Sequence, residues 1–281
     1  MLVLFGILII AWIVSQFVNK QNATVPPRIL LQRSIIAGFT FSMCAGGVML
    51  CFAYYLSIWF QAIQGVDALT SGIRTLPFVL ALVAAAIVSG GLISRIGYYT
   101  PFVIICACLM SIGGGLLTTL KVTSGRSEWV GYQFLTGFGM GLGMQQTGMA
   151  AQVVLKREDV PIGVSLGFVG QSLGGAIFLC VAQNVFIRGL IKDLSAVLPS
   201  ASAKVIAGVG ATDLRQFVPV DLLPTVLVAY NKVIVTTFYV GLAVACFSIV
   251  PACAFEWKSV RGIKGKGASQ TSREETGQKD V

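Results

Sequence analysis

Histidine is absent from the 281-residue chain, and with it the commonest participant in metal ligation, triads and general acid–base chemistry. Charge is scarce too: 11% of residues are Asp, Glu, Lys or Arg, against roughly a quarter in soluble domains, too few to build a water-exposed surface. The 11 acids are Asp67, Glu128, Glu158, Asp159, Asp193, Asp213, Asp221, Glu256, Glu274, Glu275 and Asp280, and none lies deep within an apolar stretch. An ionisable group at mid-membrane costs roughly 2.5–3.5 kcal/mol on insertion scales and normally marks an ion or proton path. No proton carrier is visible in this chain. The seven cysteines (Cys44, Cys51, Cys106, Cys108, Cys180, Cys246, Cys253) are odd in number and have no framework spacing, which argues against disulfides. Cys106 and Cys108, two apart on a helix, point to different faces and make a poor metal pair. These absences leave no reason to expect a cofactor, a metal centre or an enzyme.

What is present is hydrophobic: 56% of residues, with a mean hydropathy of +0.84. Seven stretches are long enough to cross about 30 Å of hydrocarbon: Leu2 to Val18, Ile35 to Phe60, Ile73 to Ile93, Pro101 to Leu120, Trp129 to Val154, Val160 to Ala182 and Val233 to Phe255. Backbone amides in lipid must bond internally, and unbroken runs without period-two alternation select helices over a barrel. The sequence therefore predicts an all-α membrane protein with seven transmembrane helices, whose principal partner is the bilayer.

The net charge of +9 would suggest nucleic acid in a soluble protein. Here the basic residues fall between spans, where they set orientation, and no nucleic-acid partner is expected. With the first helix ending in the cytosol, the inner segments hold twelve Lys and Arg and the outer segments eight. The run Lys258, Arg261, Lys264, Lys266 just beyond the last span points the same way. Asn22-Ala23-Thr24 matches a glycosylation acceptor, but this orientation puts it in the cytosol. The abrupt apolar start at Met1 lacks the basic leader of a signal peptide and suggests a helix whose upstream partners are missing.

Residues 183–232 form the only long connection, read as short surface helices at the outer face, with Pro224 able to open the last helix early. The end of the chain, residues 256–281, reads as a disordered basic cytosolic tail, with Trp257 and Lys258 as an interfacial anchor.

Glycine is abundant, with 32 copies. Gly137 with Gly141, Gly139 with Gly143, Gly163 with Gly167 and Gly170 with Gly174 form small-xxx-small pairs, which let backbones approach where lipid supplies no hydrophobic drive. Tight packing and sliding between helices both fit. Gly137 to Gly141 does not complete a dinucleotide fingerprint, and no strand precedes it. The polar residues within spans are Tyr54, Tyr55, Trp59, Gln133, Gln145, Gln146 and Gln171. A membrane-depth amide needs a partner, so the glutamines bond between helices or face a cavity. The aromatics form an interfacial belt or line the same cavity, whose apolar walls would suit small amphipathic or apolar ligands.

Three segments carry a resemblance. Gly90-Gly91-Leu92-Ile93-Ser94-Arg95-Ile96-Gly97-Tyr98-Tyr99 resembles the G-x-x-x-D-R-x-G-R-R loop of the major facilitator superfamily: Gly90, Arg95 and Gly97 match, and Ser94, Tyr98 and Tyr99 replace its charges. Gln133-Phe134-Leu135-Thr136-Gly137-Phe138-Gly139 is similar to the R-x-x-Q-G-x-G helix, with Gln133 in place of arginine. Gly170-Gln171-Ser172-Leu173-Gly174-Gly175 resembles the antiporter motif G-P-x-x-G-G, with Gln171 for proline. Such echoes suit the second half of an internally repeated transporter.

Longer strings, including Tyr54 to Gln61, Ser71 to Pro77 and Val228 to Lys232, resemble fungal fourteen-helix drug:proton antiporters along nearly the whole chain. The resemblance implies a C-terminal half: residues 1–33 an inter-bundle helix and cytosolic loop, residues 34–255 a six-helix bundle, and a missing N-terminal bundle carrying proton coupling. It implies efflux of drugs, toxins or secondary metabolites across the plasma membrane or the vacuolar membrane. It also implies gating at Gly90, Arg95 and Gly97 and helix packing at Gly170, Gly174 and Gly175, while the amide argument makes the seven polar residues the candidate substrate contacts of such a transporter. A seven-helix receptor, a membrane enzyme and a truncated gene product without independent transport are the rival readings.

Overall fold

The computed structural model describes residues 26–195 and 222–259. The stretch Leu2 to Val18, the Asn22 acceptor, the middle of the long connection and the tail beyond 259 lie outside the described residues.

Every described element is helical: α1 (Pro27–Leu30), α2 (Arg33–Ala62), α3 (Ala68–Ile96), α4 (Thr100–Leu117), α5 (Arg126–Gly143), α6 (Gln146–Val154), α7 (Val160–Ser195), α8 (Leu223–Phe247) and α9 (Ile249–Ala254). Among the described residues five stretches are long and apolar enough to span a membrane: α2, α3, α4, residues 160–193 of α7, and α8 continued into α9. At about 1.5 Å per residue, the 30-residue α2 reaches about 45 Å. The chain runs up and down between two ends. One end gathers Arg33, Ile96, Thr100, Val154, Val160 and Ala254; the other gathers Ala62, Ala68, Leu117, Arg126 and Leu223.

The chain is a multi-pass, all-α membrane protein, but its elements depart from the sequence expectation in three places. The run Trp129 to Val154 is not one helix, because α5 ends at Gly143 and α6 begins at Gln146. Glycines at 137, 139, 141 and 143 lower helix propensity at that point. The connection 183–232 is shorter than its hydropathy implies, since α7 continues to Ser195 and α8 opens at Leu223 with Pro224 in its first turn. Hydropathy falls there while backbone bonding continues, because Arg188 and Lys192 emerge on an exposed face. Finally, Pro251 lacks an N–H to return to Phe247, and the last span divides at Ser248.

The glycine pairs set the helix order. Added methyls on Gly137 and Gly141 would overlap the Phe78 and Leu82 carbonyls of α3, while those on Gly139 and Gly143 would meet Leu109 and Cys106 of α4. Thus α5 sits with one face against each neighbour. Gly170 and Gly174 meet the Phe39 and Met43 carbonyls, pressing α7 onto α2. Three apolar clusters fill the interior, the largest around Phe52, Tyr55, Trp59, Phe60, Tyr230 and Phe238 of α2 and α8.

Candidate functional site

The break between α5 and α6 opens a cleft of about 490 Å³ against α7 and α2, within the range of small-molecule sites. From α6 and the break come Met144, Gln145, Thr147, Gly148, Met149 and Gln152; α7 contributes Val164, Gly167, Phe168 and Gln171, and α2 contributes Ser42. Helical spacing explains the set. Gln145, Met149 and Gln152 recur at four and three positions, as do Val164, Phe168 and Gln171, so each helix turns one face to the cleft. Residues 155–159 join α6 to α7 as a hairpin, which sets Gln152 and Val164 near the connection and Gln145 and Gln171 farther from it.

Ser42 and Thr147 are buried and share a hydrogen bond of 2.9 Å, with Thr147 also donating to the Gly38 carbonyl at 3.4 Å. That pair fixes α6 to α2 and largely satisfies its own hydroxyls. Gln146 reaches back: its Nε2 donates to the Leu142 carbonyl at 2.9 Å, taking up an acceptor at the α5 terminus. Gln145, Gln152 and Gln171 carry no hydrogen bond within the described residues, and all three present free donors and acceptors to the cleft.

Of the seven polar residues singled out in the sequence, the cleft brings together Gln145 and Gln171. Gln146 is 1% exposed behind the break, and its Oε1 has no partner among the described residues. Gln133 is fully buried in α5 with neither amide atom partnered. Tyr55 and Trp59 are fully buried and tie helices together, which removes them from both a lipid-facing belt and the cleft wall. The Tyr55 hydroxyl donates to Gln183 Oε1 at 2.8 Å and the Trp59 indole N–H to Asn231 Oδ1 at 2.7 Å. Tyr54 is exposed beside Tyr55, ring centroids 5.2 Å apart. Sequence reasoning missed Gln152, although the amide-in-lipid argument applied to it equally. It also missed Gln183 and Asn231, the latter inside a string already noted for its resemblance.

The loop motif has a structural role. Gly97 closes α3 in the left-handed conformation at φ 84°, its N–H bonding to the Ile93 carbonyl at 2.8 Å, a helix terminus that favours glycine. Gly90 and Arg95 are exposed on the last turns of α3. The tyrosine that stands where the family loop is basic fastens the chain end: Tyr99 Oη and Thr100 Oγ1 both donate to the Glu256 carbonyl, at 2.9 and 3.0 Å. Tyr98 pairs with Ser259 in an isolated bridge, Arg33 Nε donates to the Ala254 carbonyl at 2.9 Å, and Phe255 packs edge-on against Phe41 and Tyr99. Residues 256–259 of the expected tail are therefore docked. The Lys258 ammonium beside it holds the Glu256 carboxyl below its usual range.

Among the described residues every acid sits at a helix end or in a loop: Asp67 before α3, Glu128 in the first turn of α5, Glu158 and Asp159 between α6 and α7, Asp193 near the end of α7, and Glu256 after α9. Asp159 pairs with Arg28 and Asp193 with Lys232, each at 3.0 Å.

No known family profile matches the chain. It is 47% identical over 262 residues, 93% of its length, to the rubrofusarin-specific efflux pump aurT of Gibberella zeae, covering 48% of that protein. It is 44% identical to the MFS-type transporter astH of Aspergillus oryzae over 92% of this chain and 46% of the relative. It is also 44% identical to the efflux pump roqT of Penicillium rubens, over 92% and 48%. The chain spans about half the length of the curated relatives it matches. With its apolar helices and these matches, the chain is a homologue of the fungal MFS-type, or major facilitator, efflux pumps.

Proposed function

We propose that this chain acts as the C-terminal bundle of a proton-coupled major facilitator transporter that exports secondary metabolites or related toxins. In this reading the cleft between α2, α6 and α7 is one wall of a midplane substrate path. A second six-helix bundle supplies the opposing wall and the proton-carrying carboxylate. The end bearing Arg33, Tyr99, Asp159 and Glu256 faces the cytosol, and the transporter resides in the plasma membrane or the vacuolar membrane. The observation that carries the reading is a discontinuous helix opening onto three unbonded amides in an otherwise apolar bundle, an arrangement that marks binding sites in transporters.

Alternating access requires two bundles rocking about a shared site, so the chain by itself does not transport. The test is reconstitution of the purified chain in liposomes, alone and together with the N-terminal half of aurT, with rubrofusarin as the probe. Flux sensitive to a protonophore is expected from the pair and not from the chain alone. Flux from the chain alone, or none from a pair shown to co-purify, would overturn the proposal.

A further inference from the structure

We infer that the cleft discriminates by charge: its wall takes uncharged molecules bearing both hydrogen-bond donors and acceptors and rejects organic cations, with Gln152 as a specificity-determining residue. The inference deepens the proposed transport reading and rests on it for its biological sense, though not for its test.

The lining of the cleft is uncharged. Its side chains are amides, hydroxyls, thioethers, one valine and one phenyl ring, and none is ionisable. A cation held against this wall leaves water without meeting a counter-charge from it, the costliest form of polar burial. Phe168 is the one ring on the wall, and one ring at an exposed position returns a factor of only about two to five in affinity to a cation. A neutral ligand faces the opposite balance. Each free amide offers two donors and an acceptor, and Gln145, Gln152 and Gln171 spend none of these on the described protein. Each neutral hydrogen bond formed in exchange for water is worth a factor of about five.

Gly148 and Gly167 line the cleft together with the three amides. A methyl on Gly167 would stand 3.1 Å from Thr147 Cγ2, and one on Gly148 would meet nothing nearer than Val164 at 3.9 Å. Met144, Met149 and Phe168 supply apolar surface on the same wall. Methionine side chains adapt to varied apolar outlines, so the wall fixes charge state and hydrogen bonding more strictly than outline. Gln152 is exposed and packs on no other side chain by hydrogen bonding, which makes it the lining position where charge can be changed with least disturbance to the fold.

The test is binding to the whole purified chain in neutral detergent, with 2-naphthol as the uncharged probe and ethidium as the flat cation, followed by probe fluorescence. The chain should bind 2-naphthol at least tenfold more tightly than ethidium, and Q152A should weaken 2-naphthol by about three- to tenfold. Q152E should reverse the preference, raising ethidium affinity by tenfold or more. Equal affinities in the unaltered chain, or a ratio that Q152E leaves unmoved while circular dichroism and melting are unchanged, would overturn the inference. Because binding is read without the second bundle, charge selectivity without flux in the reconstituted pair would remove only the transport reading. Flux without charge selectivity would remove only this one.

Discussion

Trp59 and Asn231 meet across 2.7 Å, the indole N–H donating to the amide oxygen, although 172 positions separate them in the chain. Asn231 completes its own bonding by donating Nδ2 to the Leu120 carbonyl at 3.1 Å, so one side chain joins α2, α8 and the α4–α5 connection. Replacing it by leucine keeps the volume and strands both an indole N–H and a carbonyl. N231L should lower the stability of the purified chain in detergent by about 1–3 kcal/mol. A double-mutant cycle with W59F should return a coupling of about 0.6–1.7 kcal/mol, the range of interhelical bonds in membrane bundles. Additive melting shifts would mean that the two side chains do not act together.

Two glycines from the resembled motifs should behave oppositely. Gly174 presses against the Met43 carbonyl of α2, where an added methyl overlaps backbone that has nowhere to go. G174A should cost about 1–3 kcal/mol or more, as overpacking does. Gly90 has no heavy atom within 4 Å of the place a methyl would take, and G90A should be neutral or stabilising by up to about 1 kcal/mol through helix propensity. Melting of the two purified variants gives the comparison, and equal loss in both would contradict the close approach of α2 and α7.

Much of this architecture was legible in the residues. Lipid leaves the backbone one solution, and the hydrophobic runs located α2, α3 and α4 to within about five positions, whereas α8 opens at Leu223, well before its run at Val233. The break at Met144 and Gln145 was not legible, because mean hydropathy does not register a local loss of backbone bonding. The amide rule found Gln145 and Gln171 at the cleft but could not tell them from Gln133 and Gln146, which lie on other faces. Tyr55 and Trp59 make interhelical hydrogen bonds that the sequence did not announce, for a different reason. Their partners Gln183 and Asn231 sit far away in sequence, and an aromatic at a helix end looks the same whether it meets lipid or another helix.

The docked chain end should respond to acid in one direction. Lys258 lowers the Glu256 carboxyl relative to its ordinary value of 4.5, so the ion pair contributes stability that is present above that value. The contribution is lost as pH falls through the depressed folded value. The pair is partly exposed, which limits it to at most about 1 kcal/mol. The bonds from Tyr99 and Thr100 reach the Glu256 carbonyl and do not titrate in this range. Amide exchange of residues 255–259 should therefore accelerate modestly below pH 4 in the unaltered chain and not in E256Q. Y99F, which removes a buried donor, should loosen the segment at every pH. Protection that is independent of pH in the unaltered chain would dismiss the ion pair.

Gln133 provides the sharpest contrast between stability and use. It is fully buried, it occupies the place where the resembled family helix carries arginine, and neither its Oε1 nor its Nε2 has a partner among the described residues. An unmade hydrogen bond in such a place costs about 1–3 kcal/mol, and native chains keep few of them. Methionine has nearly the same length and no strong polar atom. Q133M should therefore raise the melting temperature of the isolated chain, the reverse of most core substitutions, while Q133A should lower it by leaving a void. If the amide serves the transporter, Q133M should also reduce rubrofusarin flux when paired with the N-terminal half of aurT, trading function for stability as strained functional positions do. A lower melting temperature for Q133M would show instead that the amide is satisfied in the folded chain.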